Sequence, residues 1–215
     1  MEAAVFDLDG TLLDSMWLWE GLANNYLKSI GIEPPEDLRD TLKKLSLLEG
    51  CHYLKDRFQL SKTPEEINGE MEGLLESHYS NYFMLKPYVL ETLKDFKNRN
   101  IRMCLATATA DNLVIKALER LGIGDYFEFI QTSNNIGIGK SNPEFFQAVI
   151  KRLDIEPKDI WVFEDALHCM ISAKNCDLNV VALLDDSAIS DRQEIKKIAD
   201  ICIDDFSQLE KYSLQ

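Results

Sequence analysis

Four short, uninterrupted apolar runs punctuate the chain: Ala3–Phe6, Met103–Ala106, Ile160–Phe163 and Val180–Leu184. Runs without polar alternation suit strands covered on both faces, as in a parallel sheet. Phe129-Ile130 and Ile201–Ile203 are shorter candidates of the same kind. Longer stretches with helical spacing separate them, over roughly 88–99, 111–121, 143–153, 166–175 and 189–198. This alternation predicts an α/β fold: a parallel sheet with helices on both faces. Pro143 followed by Glu144 marks a helix start.

One stretch breaks the alternation. No strand pattern occurs between Ser15 and Lys86, where Leu18, Leu22, Tyr26 and Leu27 form one helical stripe and Leu38, Leu42 and Leu45 another. Ile67, Met71, Leu74, Leu75 and Tyr79 form a third. Ahead of it, Thr63 as N-cap, Pro64 at the first helical position and Glu66 at the third predict a capping box. The expected organisation is therefore an α/β core of residues 1–14 and 87–215, interrupted by an all-helical insertion over 15–86.

Composition narrows the function classes. Asp and Glu number 37 against 23 Lys and Arg, a formal net charge of −14. A chain this acidic is repelled by nucleic acid and by anionic membrane surfaces, so neither is expected as a partner. An anionic substrate would need a local positive field. No apolar run approaches the roughly 18 residues of a membrane span. The five cysteines (Cys51, Cys104, Cys169, Cys176 and Cys202) are scattered and never in CxxC spacing. They are expected as free thiols in a reducing compartment. The start, Met1-Glu2-Ala3-Ala4-Val5, has no basic n-region, so a cytoplasmic location is expected. His52, His78 and His168 have no metal-pair spacing, which speaks against zinc.

Chemistry gathers at strand ends. The first run leads into Asp7-Leu8-Asp9-Gly10-Thr11. Carboxylates two residues apart in extended chain point the same way, and Gly10 lets the backbone turn at once. The third run ends in Glu164-Asp165. Either piece alone is also a solvated turn or an N-cap. Together they make an oxygen-rich pocket suited to a hard cation such as Mg²⁺. The second run ends in Thr107-Ala108-Thr109, where a hydroxyl and backbone N–H groups at a helix start suit a phosphate, with a plain N-cap as the alternative. Lys140 stands just before the Pro143 helix, in reach of an anion or simply a surface charge.

In this order the four pieces resemble the haloacid dehalogenase superfamily of phosphotransferases, over nearly the whole chain. Asp7-Leu8-Asp9-Gly10-Thr11 matches its first motif, Thr107 its second, Lys140 its third and Glu164-Asp165 its acidic fourth. The helical insertion resembles the family's cap. Phe145-Phe146, and Leu121-Gly122-Ile123 with Tyr126-Phe127, resemble the branch of β-phosphoglucomutase and the small sugar phosphatases. The resemblance implies a Rossmann-like core and a set of roles. Asp7 would be the nucleophile, forming an aspartyl phosphate. Asp9 would be general acid and then general base. Mg²⁺ would be held by the Asp7 carboxylate, the Asp9 backbone carbonyl and the Asp165 carboxylate, with Glu164 on the metal or behind it. Thr107, the Ala108 N–H and Lys140 would bind the phosphoryl oxygens. Dehalogenases of the superfamily lack an Asp where Asp9 stands, which favours phosphoryl transfer.

Several positions depart from the mutase pattern. Trp19 stands where a mutase has its cap-hinge His, Leu47 where it has an Arg, and Leu75 about where it has a Lys. A mutase must hold a bisphosphate intermediate, so losing all three favours hydrolysis. Leu75 also speaks against the Schiff-base lysine of a phosphonoacetaldehyde hydrolase. Ser141 replaces the usual Pro after the Lys, and Cys169 replaces a usual Gly and is expected to pack. His168 is expected as a surface residue of its helix. Trp17, Trp19, Lys44 and Ser46 are candidates to face the substrate, the tryptophans alternatively being staples. The expected protein is a Mg²⁺-dependent phosphatase of a small phosphorylated metabolite, a monomer or weak homodimer, with a hexose-phosphate mutase as the alternative.

Overall fold

The computed structural model describes residues 1–42, 45 and 47–212. They form two compact units, Met1–Ser15 with Phe83–Gln215, and Met16–Tyr82.

The first unit is built on six parallel strands: β1 (Ala3–Phe6), β2 (Arg102–Thr107), β3 (Ile130–Thr132), β4 (Ile160–Glu164), β5 (Asn179–Leu183) and β6 (Ile201–Ile203). Their order is β3-β2-β1-β4-β5-β6. The chain therefore winds outward on one side of β1, then returns and winds outward on the other. In such sheets the crevice at the carboxyl ends, where the order reverses, is the ligand site. The expected α/β class is correct. β3 starts one residue later than the apolar signal at Phe129, whose carbonyl still accepts from the Leu105 N–H at 3.1 Å.

Alternation along each strand sends side chains to both faces. On one face Val5, Cys104, Ala106, Val162 and Val180 pack with Phe145, Phe146, Val149, Met170 and Ala173. On the other, Phe6 stacks on Phe163 at 4.6 Å between ring centroids, and Phe163 on Phe206 at 5.9 Å. Apolar cover on both sides explains why the strand sequences lack polar alternation.

Outside the second unit the helices are α5 (Val89–Asn98), α6 (Asp111–Leu121), α7 (Ser133–Ile136), α8 (Pro143–Leu153), α9 (Leu167–Lys174) and α10 (Arg192–Ile198). The helix expected over 189–198 is split. Asp186–Asp191 is a 3₁₀ turn capped by Asp185, whose carboxylate accepts from the Ser187 N–H at 2.9 Å. Phe83–Lys86 group with the first unit because the Asp14 N–H donates to the Met84 carbonyl at 3.0 Å and the Lys86 N–H to Leu12 at 2.8 Å.

The second unit holds α1 (Met16–Ser29), α2 (Leu38–Leu42), α3 (Leu47–Phe58) and α4 (Pro64–Asn81). Leu18, Leu22, Tyr26 and Leu27 bury as one stripe, and Ile67, Met71, Leu75 and Tyr79 as another. Leu74 and Leu45, assigned to stripes by spacing, are exposed. α3 has no obvious apolar stripe because its buried positions include the small residues Gly50 and Cys51 beside Leu54. The capping box forms as expected: Thr63 Oγ1 accepts from the Glu66 N–H at 3.2 Å, and the Glu66 carboxylate from the Thr63 N–H at 2.7 Å.

Thr63→Ala is expected to cost the helical unit about 1 kcal/mol. Urea unfolding followed by far-UV circular dichroism checks this; Thr63→Ser should keep the wild-type midpoint.

Candidate active site

The register of the central strands brings the site together. Phe6 lies opposite Phe163, and the Asp7 N–H continues the ladder to the Phe163 carbonyl at 3.0 Å. Asp7 therefore leaves β1 beside the Glu164-Asp165 end of β4. Gly10 then takes a φ of 77°, in the left-handed region that glycine tolerates without strain, and turns the chain. One carboxylate oxygen from each of Asp7, Glu164 and Asp165 lies within 4.8 Å of the others.

Lys140 enters this group from the loop before α8. Its exposure is only 4%, which excludes a plain surface charge. Its Nζ donates to Asp7 Oδ1 at 2.5 Å and lies 2.6 Å from Glu164 Oε2. Asn142 fixes the end of that loop by accepting the Glu144 N–H at 3.0 Å, with Pro143 opening α8 as expected. Glu164 has a second task. Its Oε1 accepts the backbone N–H groups of Asp165 and Ala166 at 3.2 and 3.1 Å, which ties down the approach to α9.

Electrostatics follow from burial and crowding. Burial above all, with the charges of Glu164 and Asp9, pushes the Asp7 carboxyl up to about 8 against the pull of Lys140. Burial likewise raises Asp165, helped by Glu164 and Asp7. Burial works against the charge on Lys140, but Asp7 and Glu164 outweigh it and hold its proton firmly. With all three carboxyls ionised, the one ammonium leaves two negative charges on a buried set of oxygen donors. That charge and donor type fit a hard divalent cation.

Asp9 lies elsewhere. Its Oδ1 accepts from Ser15 Oγ at 2.6 Å and its Oδ2 from Thr109 Oγ1 at 2.5 Å. Its carboxylate is thus outside the acidic group. The metal role implied for Asp9 concerned only its backbone carbonyl.

The β2–α6 segment has the expected order, a strand ending in a hydroxyl with a helix after it. α6 begins at Asp111, with Ala110 at the N-cap and no side-chain cap bond, and Thr107 is the last residue of β2. Thr107 Oγ1 instead accepts the Thr109 N–H at 3.1 Å. Neither threonine is a plain N-cap. Ala108 is exposed at the tip of the same turn. Ser15 and Thr109 were not legible as site residues: nothing in the sequence separates them from ordinary turn hydroxyls, and Thr109 is 100 residues from its partner.

The remaining candidates are dispersed. Ser141 and His168 are exposed. Cys169 is buried near the acidic group, and burial pushes its thiol up, with Glu164 adding to the effect. All five cysteines are free. Trp17 is 55% exposed and meets His78 edge-on at 5.7 Å. Trp19 is half-buried, and its Nε1 donates to Tyr79 Oη at 3.0 Å. Leu47 opens α3 and Leu75 is buried in the helical unit. Lys44 and Ser46 lie outside the described residues. Among the described residues no helix is long and apolar enough to cross a membrane.

The sequence profile described as haloacid dehalogenase-like hydrolase matches residues 4–183. The chain belongs to the haloacid dehalogenase-like hydrolases. Among its relatives is the phosphorylated carbohydrates phosphatase of Thermotoga maritima, 28% identical over 178 residues, which span 83% of this chain and 82% of that protein. The β-phosphoglucomutase of Bacillus subtilis is 29% identical over 196 residues, 85% of this chain and 83% of that one. The solved structure of CbbY from Rhodobacter sphaeroides in complex with phosphate superposes with a TM-score of 0.82 at 21% identity, covering 97% and 96% of the two chains, and shows the shared fold. Membership of this hydrolase family, with several phosphatases among its relatives, is consistent with the expected enzyme class, a phosphoric monoester hydrolase.

In chelator, the stability of this hydrolase should fall as pH rises from about 4 to about 8. An Asp7 carboxyl raised from 3.8 to about 8 makes the folded state bind more protons than the unfolded state across that window. Urea midpoints in chelator across this range check the slope, which Asp7→Asn should flatten. Added Mg²⁺ should raise the melting temperature more at pH 7.5 than at pH 5.

Proposed function

We propose that this hydrolase is a Mg²⁺-dependent phosphatase acting on a small phosphorylated metabolite, a sugar phosphate in the first instance, through an aspartyl phosphate on Asp7. The observation that carries the reading is the buried meeting of Asp7 with Lys140, Glu164 and Asp165 at the carboxyl edge of the sheet, with Asp9 held apart by two hydroxyls.

The residues divide the work. An Asp7 carboxylate oxygen attacks phosphorus while the bond to the leaving oxygen breaks. Asp9 gives that oxygen a proton, then takes one from the water that attacks the aspartyl phosphate, releasing phosphate and restoring Asp7. Lys140, the Thr107 hydroxyl and the Ala108 N–H hold the phosphoryl oxygens as charge shifts among them. Asp7, Asp165 and the Asp9 backbone carbonyl would hold Mg²⁺, with Glu164 beside them. The cation supplies the positive charge that lets a carboxylate approach a phosphate anion.

The helical unit acts as the cap that selects substrate. Trp17, well exposed on that unit, supports a substrate-facing role. Trp19 is bonded to Tyr79 and supports the cap's own packing. A second reading, a hexose-phosphate mutase, draws on the 29% identity to the Bacillus subtilis enzyme. The apolar Leu75, buried where a mutase cap has about its Lys, favours hydrolysis.

Asp7→Asn should lower turnover of 4-nitrophenyl phosphate by about 10³-fold or more, and chelation of Mg²⁺ should also abolish it. Unchanged rates would remove the nucleophile and the metal from this reading respectively. With β-glucose 1-phosphate and a trace of the bisphosphate, free phosphate is expected; glucose 6-phosphate without free phosphate would install the mutase instead. A panel of phosphorylated metabolites ranked by kcat/KM identifies the substrate class.

A further inference from the structure

The two aspartates of the first motif have separate surroundings, and those of Asp9 are made by Ser15 and Thr109, neither of which has a role in the reading above. Ser15 Oγ and Thr109 Oγ1 each take one of its carboxylate oxygens, at 2.6 and 2.5 Å. Ser15 is 0% exposed and Thr109 5%, so water does not compete freely for either bond. The two hydroxyls arrive from different elements. Ser15 closes the first segment of the α/β unit, and Thr109 sits between β2 and α6, two residues after Thr107 ends the strand.

We propose that Ser15 and Thr109 are positioning residues that clamp the Asp9 carboxylate in the orientation its proton transfers require. The inference rests on the phosphatase reading above. A carboxylate on a single-bonded stem turns about two dihedrals, and one bond to each oxygen fixes its plane. Hydroxyls suit the task because each carries one donor and two acceptor lone pairs. Each donates to the carboxylate. When one Asp9 oxygen carries the proton destined for the leaving group, the hydroxyl on the other oxygen still donates, and the proton stays free to point at the leaving oxygen. Thr109 also links two jobs: its N–H is held by Thr107, so the turn that offers a seat for the phosphoryl group also fixes the acid beside it.

The leaving group provides the test. A general acid matters most when the departing oxygen is strongly basic. Phenyl phosphate and 4-nitrophenyl phosphate have similar shapes, but phenoxide is much the more basic leaving group. The full-length protein, Ser15→Ala, Thr109→Val, Thr109→Ser and Asp9→Asn are compared on both substrates in Mg²⁺, with circular dichroism confirming the fold. Thr109→Val should lower kcat for phenyl phosphate about 10-fold more than for 4-nitrophenyl phosphate, Ser15→Ala should show the same bias, and Thr109→Ser should restore it. Equal losses on both substrates, or none, would overturn the clamp while a biased loss in Asp9→Asn left the acid assignment standing. Equal losses in Asp9→Asn itself would overturn the acid assignment and the clamp together.

Discussion

The pairing of β1 with β4 in one register is the constraint on which the site depends. With Phe6 opposite Phe163, the next residue of each strand is acidic, so Asp7 must emerge beside Glu164. Phe6 and Phe163 stack on the apolar face, which resists any slip of that register. Crowded carboxylates at a buried edge repel one another. Lys140, held at 2.5 and 2.6 Å from two of them, is what the fold itself supplies against that repulsion. It offsets one charge only, and the excess is what suits the edge to a cation. Core packing and site chemistry are thus one arrangement.

The two aspartates of a single short motif illustrate how environment sets role. Asp7 faces an ammonium and two carboxylates, whereas Asp9 faces two hydroxyls. The left-handed turn at Gly10 follows directly and brings the chain back through Leu12 and Leu13, whose N–H groups both donate to the Leu8 carbonyl. On a chain with a net charge of −14, Lys140 brings one ammonium into this acidic group, and the proposed phosphate needs the cation as well. The rest of its acidity is spread over exposed positions such as Asp37, Glu70 and Asp95, in surface ion pairs worth little individually.

Elements were legible where one physical signal dominated. β1, β2, β4 and β5 are buried on both faces and read as apolar runs. α4 was visible from its cap, because Thr63, Pro64 and Glu66 act over three residues. α3 was not, since small buried residues carry no periodic hydrophobic signal. The split before α10 follows from Asp185 capping a 3₁₀ turn, a local competition that helical spacing cannot register. At the site, Asp7, Lys140, Glu164 and Asp165 were named from strand ends and motif order, and the fold brings all four together. The strand ending at Thr107 and the helix after it were legible too, but not the bond in the link between them, where Thr107's own hydroxyl accepts the Thr109 N–H.

The sequence by itself determined the α/β class, the helical insertion and the residue types at the strand ends, because burial on two faces, capping and turn chemistry act over a few neighbours. Only the tertiary structure decided which carboxylate meets which partner. Lys140 reaches Asp7 across 133 residues and Thr109 reaches Asp9 across 100. Such contacts are set by strand order and register, which no local pattern encodes. The same holds for Trp17 and Trp19: two residues apart in one helix, one is exposed and the other is fixed by a hydrogen bond to Tyr79, because only α4 packing on α1 tells them apart.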